Sequence, residues 1–169
     1  MRIASGLLLL TVLLFGCAGA GEEHQAFQLY LVRHAEKQAD VGQDPHLTNA
    51  GHQRARKLAN YLQDKSISGI WSSDYFRTRE TALPLAESLG IHLTIYDPHD
   101  LEALAKKLLK AGNNAYVVGH SNTTPELARL LCECDVEDMD ESEHGRLIII
   151  SVAGRNRQIT TLQQDELSK

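Results

Sequence analysis

Two histidines and two arginines stand out by where they fall. The run "LYLVRHAEK" (29–37) is apolar up to Val32 and then turns to Arg33 and His34, and "AYVVGH" (115–120) ends in the same way on His120. Arg77 sits within "SSDYFRTRETA" (72–82), and Asp97, Asp100 and Glu102 crowd "YDPHDLEAL" (96–104). A neutral imidazole can attack a phosphoryl group or carry a proton. Guanidinium forks bind phosphate oxygens through paired N–H donors, and a carboxyl group can protonate a departing oxygen. That chemistry requires the residues to meet, so the elements that carry them decide the matter.

From Phe27 the pattern alternates between strand and helix. Residues 27–32 read as a strand that ends at Arg33 and His34. "LTNAGHQRARKLANYLQ" (47–63) puts Ala55, Leu58, Ala59 and Leu62 at helical spacing, with Arg54, Arg56 and Lys57 on the other side. "SGIWSSD" (68–74) is a short strand, and residues 75–89 read as a helix closed by Gly90, which Pro84 must kink or restart. "IHLTIY" (91–96) is a strand. Asp100 can cap a helix that shows Leu101, Leu104, Ala105 and Leu108 on one face and stops at Gly112. "AYVVGH" is a further strand, Thr123-Thr124-Pro125 opens a helix, and "RLIIISV" (146–152) with "RQITTL" (157–162) form a closing hairpin. The order predicts an α/β fold: a single three-layer domain with a mainly parallel sheet and helices on both faces. Ligands in such folds bind at the carboxyl ends of the strands. His34, Ser72 to Asp74, Asp97 and His120 all end strands in this reading, with Arg77 one turn beyond, so they share one rim.

The chain has 169 residues, enough for one domain, with 43% hydrophobic and 23% charged residues and a formal net charge of −5. No basic block is present, which excludes the clustered Lys and Arg of a nucleic-acid surface. The first residues differ. Arg2 is followed by an apolar run from Leu7 to Phe15, too short to span a bilayer and laid out like a secretory signal peptide. "LFGC" (14–17) resembles a bacterial lipobox, with Cys17 as the lipidated residue, and "AGA" (18–20) has the form of an ordinary cleavage site. The lipoprotein reading is favoured because Cys17 directly follows the apolar run. The expected organisation is a signal peptide over 1–16, a tether over 17–26, the domain over 27–163 and a tail over 164–169. Membrane association would then be through a lipid anchor, in the bacterial periplasm or cell envelope. Cys132 and Cys134 flank one glutamate and either form a tight disulfide or pair with nothing; zinc ligation is disfavoured, since no second ligand pair lies at the right spacing.

Four ordered segments resemble the histidine phosphatase superfamily, also called the phosphoglycerate mutase-like family: "VRHAEK" (32–37), "LTNAGHQRA" (47–55), "SSDYFRTRETA" (72–82) and "VVGHSNT" (117–123). The resemblance implies that His34 is the nucleophile that becomes phosphohistidine, and that Arg33 and Arg77 bind the phosphoryl oxygens. His120 would contact the same group, with Asn122 and Thr123 as further phosphate ligands. No metal ion or other cofactor is implied, and the chain offers no HExxH motif to hold a metal.

Two departures bear on activity. Ala35 stands where many relatives have glycine, and Ser121 stands where the acid phosphatase branch has its aspartate proton donor. The proton donor therefore stays open between Asp97, at a strand end, and Glu102, nearest in pattern to the mutase carboxylate; Asp100 is more simply a helix cap. "GHSNT" is not the G-x-S-x-G of a serine hydrolase. The expected function is a metal-independent phosphatase acting on phosphomonoesters or on a phosphorylated envelope component. The alternatives are a non-catalytic phosphate-binding or interaction module and, less favoured, a phosphoglycerate mutase. The expected partner is a small phosphorylated substrate.

Overall fold

A computed structural model describes residues 25–39 and 42–167. The expected signal peptide, the lipidation at Cys17 and most of the tether lie outside the described residues. The remainder is a six-stranded mixed sheet with two helices on each face, as the alternation predicts.

Strands β1 (Phe27–Arg33), β2 (Gly69–Ser72), β3 (Leu93–Ile95) and β4 (Ala115–Gly119) run parallel. The hairpin β5 (Arg146–Ala153) and β6 (Asn156–Gln163) adds antiparallel strands beyond β1 and turns at Gly154, whose φ is 60°. The sheet order is β3-β2-β4-β1-β5-β6. Helices α1 (Asn49–Leu62), α2 (Phe76–Leu89), α3 (Leu101–Ala111) and α4 (Thr123–Cys132) fill the crossovers. Because successive strand residues face opposite sides, β1 divides its side chains between two cores. Leu29 and Leu31 pack with Leu104 and Leu108 of α3 and Leu127 and Leu131 of α4. Tyr30 and Val32 pack with Leu58 and Leu62 of α1 and Ala82 and Leu85 of α2.

Local signals set the ends of the helices. Asp100 accepts from the Ala103 N–H at 3.1 Å and so caps α3, which stops at the left-handed Gly112. Helix α2 runs unbroken through Pro84, so of the expected kink or restart the restart does not occur. Proline removes one intrahelical bond, while Ala82, Leu85 and Ala86 stay buried on both sides of it and hold the helix to the sheet. At the end of α4, Glu133 takes a left-handed conformation, and Cys132 and Cys134 are joined as a disulfide. The short 3-10 turn Gln164–Glu166 folds back, with the Gln164 N–H donating to Gly145 O at 2.7 Å.

The first two sequence motifs are fastened to each other. Arg54 of α1 donates through Nε and Nη2 to Glu36 at 2.9 and 2.8 Å. Thr48 caps α1 by accepting from Gly51 N–H at 3.0 Å, and its own backbone N–H donates to Glu36 O at 2.8 Å. The helix therefore starts hard against residue 36, and a Cβ on Gly51 would lie 2.3 Å from Glu36 O. Gly51→Ala is expected to destabilise the fold by about 1–3 kcal/mol through overpacking against backbone. A urea melt reads this as a lower midpoint; an unchanged midpoint would contradict the close approach.

Candidate active site

His34 follows directly on β1 and extends its pairing with β4, its backbone N–H donating to Gly119 O at 2.9 Å. Its ring Nδ1 lies 2.8 Å from Ala35 O. A carbonyl only accepts, so Nδ1 carries the proton and Nε2 keeps its lone pair. The residue is 2% exposed and lines a cavity of about 300 Å³ at the carboxyl ends of the parallel strands. Burial, assisted by the neighbouring Arg33, His120 and Arg77, lowers its pKa to about 3. It is therefore neutral at physiological pH, the state a nucleophile needs.

His120 ends β4 beside it, the two rings edge-to-face with centroids 5.5 Å apart. Its backbone N–H donates to Thr123 Oγ1 and its Nε2 hydrogen-bonds to Ser73 Oγ, both at 2.9 Å. Burial, then Arg77 and Arg33, lower its pKa to about 4. Gly119 allows this crowding, since a Cβ there would meet Thr123 Oγ1 at 2.8 Å and Tyr96 Oη at 2.9 Å.

Arg77, in the first turn of α2, lines the same cavity. Its guanidinium lies over the Tyr75 ring at 4.4 Å and donates through Nη1 to Asp44 at 3.2 Å, while Nε is buried without a partner. An unpartnered buried donor is costly in a finished core and useful beside an anion site. Asp44 is thus its carboxylate partner, and Asp44 also accepts from Phe76 N–H at the start of α2.

Arg33 behaves differently. It is 2% exposed, and its Nη1 donates to the carbonyls of Asp140, at 3.0 Å, Glu141 and Glu143. Nη2 donates to Glu141 Oε2 at 3.1 Å. Arg33 therefore ties the segment 140–143 to the end of β1, leaving only Nε without a partner.

Asn122 and Thr123, at the start of α4, line the cavity with Ser121. The N-terminus of that helix offers a favourable field for an anion. Asp97 and Glu102 are not brought to the cavity. Asp97 accepts from His99 N–H at 2.9 Å, and Glu102 lies on the exposed side of α3 beside Lys106. Ser73, at the strand end the rim rule gathered, holds His120. Two contributors have no signal in the sequence motifs: Glu141 lines the cavity, and His144 donates from Nδ1 to His34 O at 3.0 Å with its ring 5.8 Å from that of His34. Their partners are distant in sequence, and only the fold joins them. Among the described residues no group of three or more His, Cys, Asp or Glu side chains is arranged to hold a metal ion.

This constellation gathers two neutral imidazoles and a guanidinium at the rim of the sheet, groups whose chemistry suits a phosphoryl group. Residues 29–101 match the family model of the histidine phosphatase superfamily (branch 1). The protein histidine phosphatase SixA superposes with a TM-score of 0.69 at 18% identity, covering 84% of this chain and all of that one. The alpha-ribazole phosphatase of Shigella flexneri gives 0.66 at 16% identity, over 81% of this chain and 96% of that one. Among curated proteins, the "Probable phosphoglycerate mutase GpmB" of Enterobacter sp. (strain 638) is 38% identical over 90 residues, 47% of this chain and 41% of that protein. The counterpart in Escherichia fergusonii is 40% identical over 77 residues, covering 42% of this chain and 35% of its own length. The chain thus spans about two fifths or less of these relatives. Over residues 29–101 the chain is thus similar to the histidine phosphatase superfamily, and its fold is that of the phosphatase structures it superposes on. The matched segment stops before β4, so His120 is joined to the site by the fold rather than by the family match.

Both site histidines titrate below the 6.5 of an unfolded histidine. Between about pH 7 and about pH 5 the unfolded chain therefore takes up more protons than the folded one, and stability falls as pH falls. Thermal melts across that window should show the decline, and His34→Gln should flatten part of it. An unaltered slope in the variant, or an imidazole NMR titration of His34 with a midpoint near 6.5, would contradict a buried neutral ring.

Proposed function

We propose that this protein is a phosphatase that moves a phosphoryl group from a phosphomonoester, or from a phosphorylated envelope component, to His34 and then to water. One observation carries the reading: a neutral imidazole, fixed by its Nδ1–H with Nε2 free, faces a cavity that also holds Arg77 and His120. In-line attack by Nε2 on phosphorus splits one displacement into two. The charge on the phosphoryl oxygens is met by guanidinium and helix-terminus donors already in place, so electrostatic stabilisation requires little rearrangement. These donors support a reaction without a metal ion. The connection over residues 96–100 contributes only Pro98 and His99 to the cavity wall, which favours an open site and small or protruding phosphoryl groups. The names of the structural neighbours, which include phosphatases, support the same reading.

The mutase name of the curated relatives keeps one second reading in place, transfer of the phosphoryl group back to a glycerate rather than to water. Export and lipidation at Cys17 remain part of the proposal on the sequence pattern alone. The test is phosphate release from an aryl phosphate in excess EDTA. Turnover is expected to persist in EDTA, to vanish in His34→Ala, and to fall by about 10²–10³-fold in Arg77→Ala through loss of one charge-stabilising donor group. Loss of turnover on chelation would contradict the metal-free mechanism. Interconversion of phosphoglycerates without phosphate release would favour the mutase.

A further inference from the structure

Hydrolysis of an alkyl phosphate leaves an alkoxide unless a proton is supplied, and neither Asp97 nor Glu102 is placed to supply it. The cavity nevertheless has a carboxylate. Glu141, in the segment before β5, lines it together with His34, Arg77 and His120, and among the described residues it is the one Asp or Glu that does so. Its backbone is fixed, because Arg33 donates to the carbonyls of Asp140, Glu141 and Glu143. Its side chain is also aimed: Oε1 accepts from Ser121 Oγ at 2.6 Å and Oε2 accepts from Arg33 Nη2 at 3.1 Å. Ser121 immediately follows His120, and Arg33 immediately precedes His34. The carboxylate is thus held from both of the residues that flank the two site histidines.

We propose that Glu141 is the proton donor to the leaving oxygen, and then the base for the attacking water, of the phosphatase reaction inferred above, on which this proposal rests. Without substrate, the Ser121 hydroxyl and then Arg33 keep its carboxyl below the usual range. A phosphoryl dianion entering the cavity places like charge beside the carboxylate. That raises its affinity for a proton, which it takes from solvent. In the first half-reaction the Nε2 lone pair of His34 bonds to phosphorus. The P–O bond to the alkyl group breaks, its electron pair stays on oxygen, and that oxygen takes the Glu141 proton and leaves as the alcohol. In the second, water bonds to the phosphohistidine phosphorus and passes a proton to Glu141. The P–N pair returns to His34 and inorganic phosphate departs, leaving Glu141 protonated as at the start.

The readout that separates this role from a structural one is dependence on the leaving group. A nitrophenolate departs without help, whereas an alkoxide needs its proton. The purified chain, Glu141→Gln and Glu141→Asp are compared on 4-nitrophenyl phosphate and on a simple alkyl phosphate. In Glu141→Gln, kcat for the alkyl ester should fall by about 10²-fold or more, the usual scale of general acid catalysis, with only a few-fold change for the nitrophenyl ester. Glu141→Asp, which keeps a carboxyl group, should recover part of the loss. Equal losses on both esters, or no loss on either, in an otherwise active protein overturn the assignment of Glu141 alone. A wild-type chain that hydrolyses neither ester overturns the phosphatase reading, and this inference with it.

Discussion

The parallel pairing of β1 with β4 is the constraint on which the site depends. Its register places Arg33 opposite Gly119, and the next bond, from His34 N–H to Gly119 O, brings His34 up beside His120. A slip of one residue would turn every side chain of a strand to the other face. It would also empty both cores, because Leu29 and Leu31 serve one and Tyr30 and Val32 the other. The packing that stabilises the domain is therefore also what fixes the distance between the two histidines. Function adds little backbone cost to this arrangement: the strand ends must stop near one another in any case, and glycine at 119 makes the close approach of Thr123 and Tyr96 possible.

A second dependence runs through Arg33. A guanidinium this deeply buried must find acceptors, and it finds them in three carbonyls and one carboxylate of the segment 140–143. That segment has no regular secondary structure, so its placement rests on the residue next to His34. His144 continues the link by donating to the backbone oxygen of His34. The opposite wall has a similar design. Asp44, from the loop before α1, accepts both from the start of α2 and from Arg77, so a loop carboxylate sets the orientation of the second guanidinium. In each case a charged side chain that faces the cavity, Glu141 or Arg77, is held by a group distant in sequence.

That separation explains what the sequence could and could not reveal. The alternation of strand and helix was legible because burial imposes periods of 2 and 3.6 on the apolar residues, and the rim rule then gathered His34, Arg77 and His120. Asn122 and Thr123 entered through the family resemblance, and the fold sets both in the cavity lining. Pro84 misled because local backbone preference was weighed without the packing of Ala82, Leu85 and Ala86 around it. Asp97 and Glu102 drew attention by position along the chain, yet one closes a turn on His99 N–H and the other is on the solvent side of α3. Glu141 lies in "DMDESEHG" (138–145), one acid among several with no periodic or motif context. Only its contacts with Ser121 and Arg33 distinguish it.

The central claim is that His34 forms a covalent bond to phosphorus. The direct measurement is rapid quenching of the purified chain during turnover of an aryl phosphate, followed by peptide mass spectrometry under conditions that preserve phosphohistidine. The account predicts a phosphoryl group on the peptide containing His34, formed in a burst of nitrophenolate release of about one equivalent and absent from His34→Ala. Steady phosphate release with no phosphorylated peptide, retained in His34→Ala, would contradict it and place the attack with water from the outset.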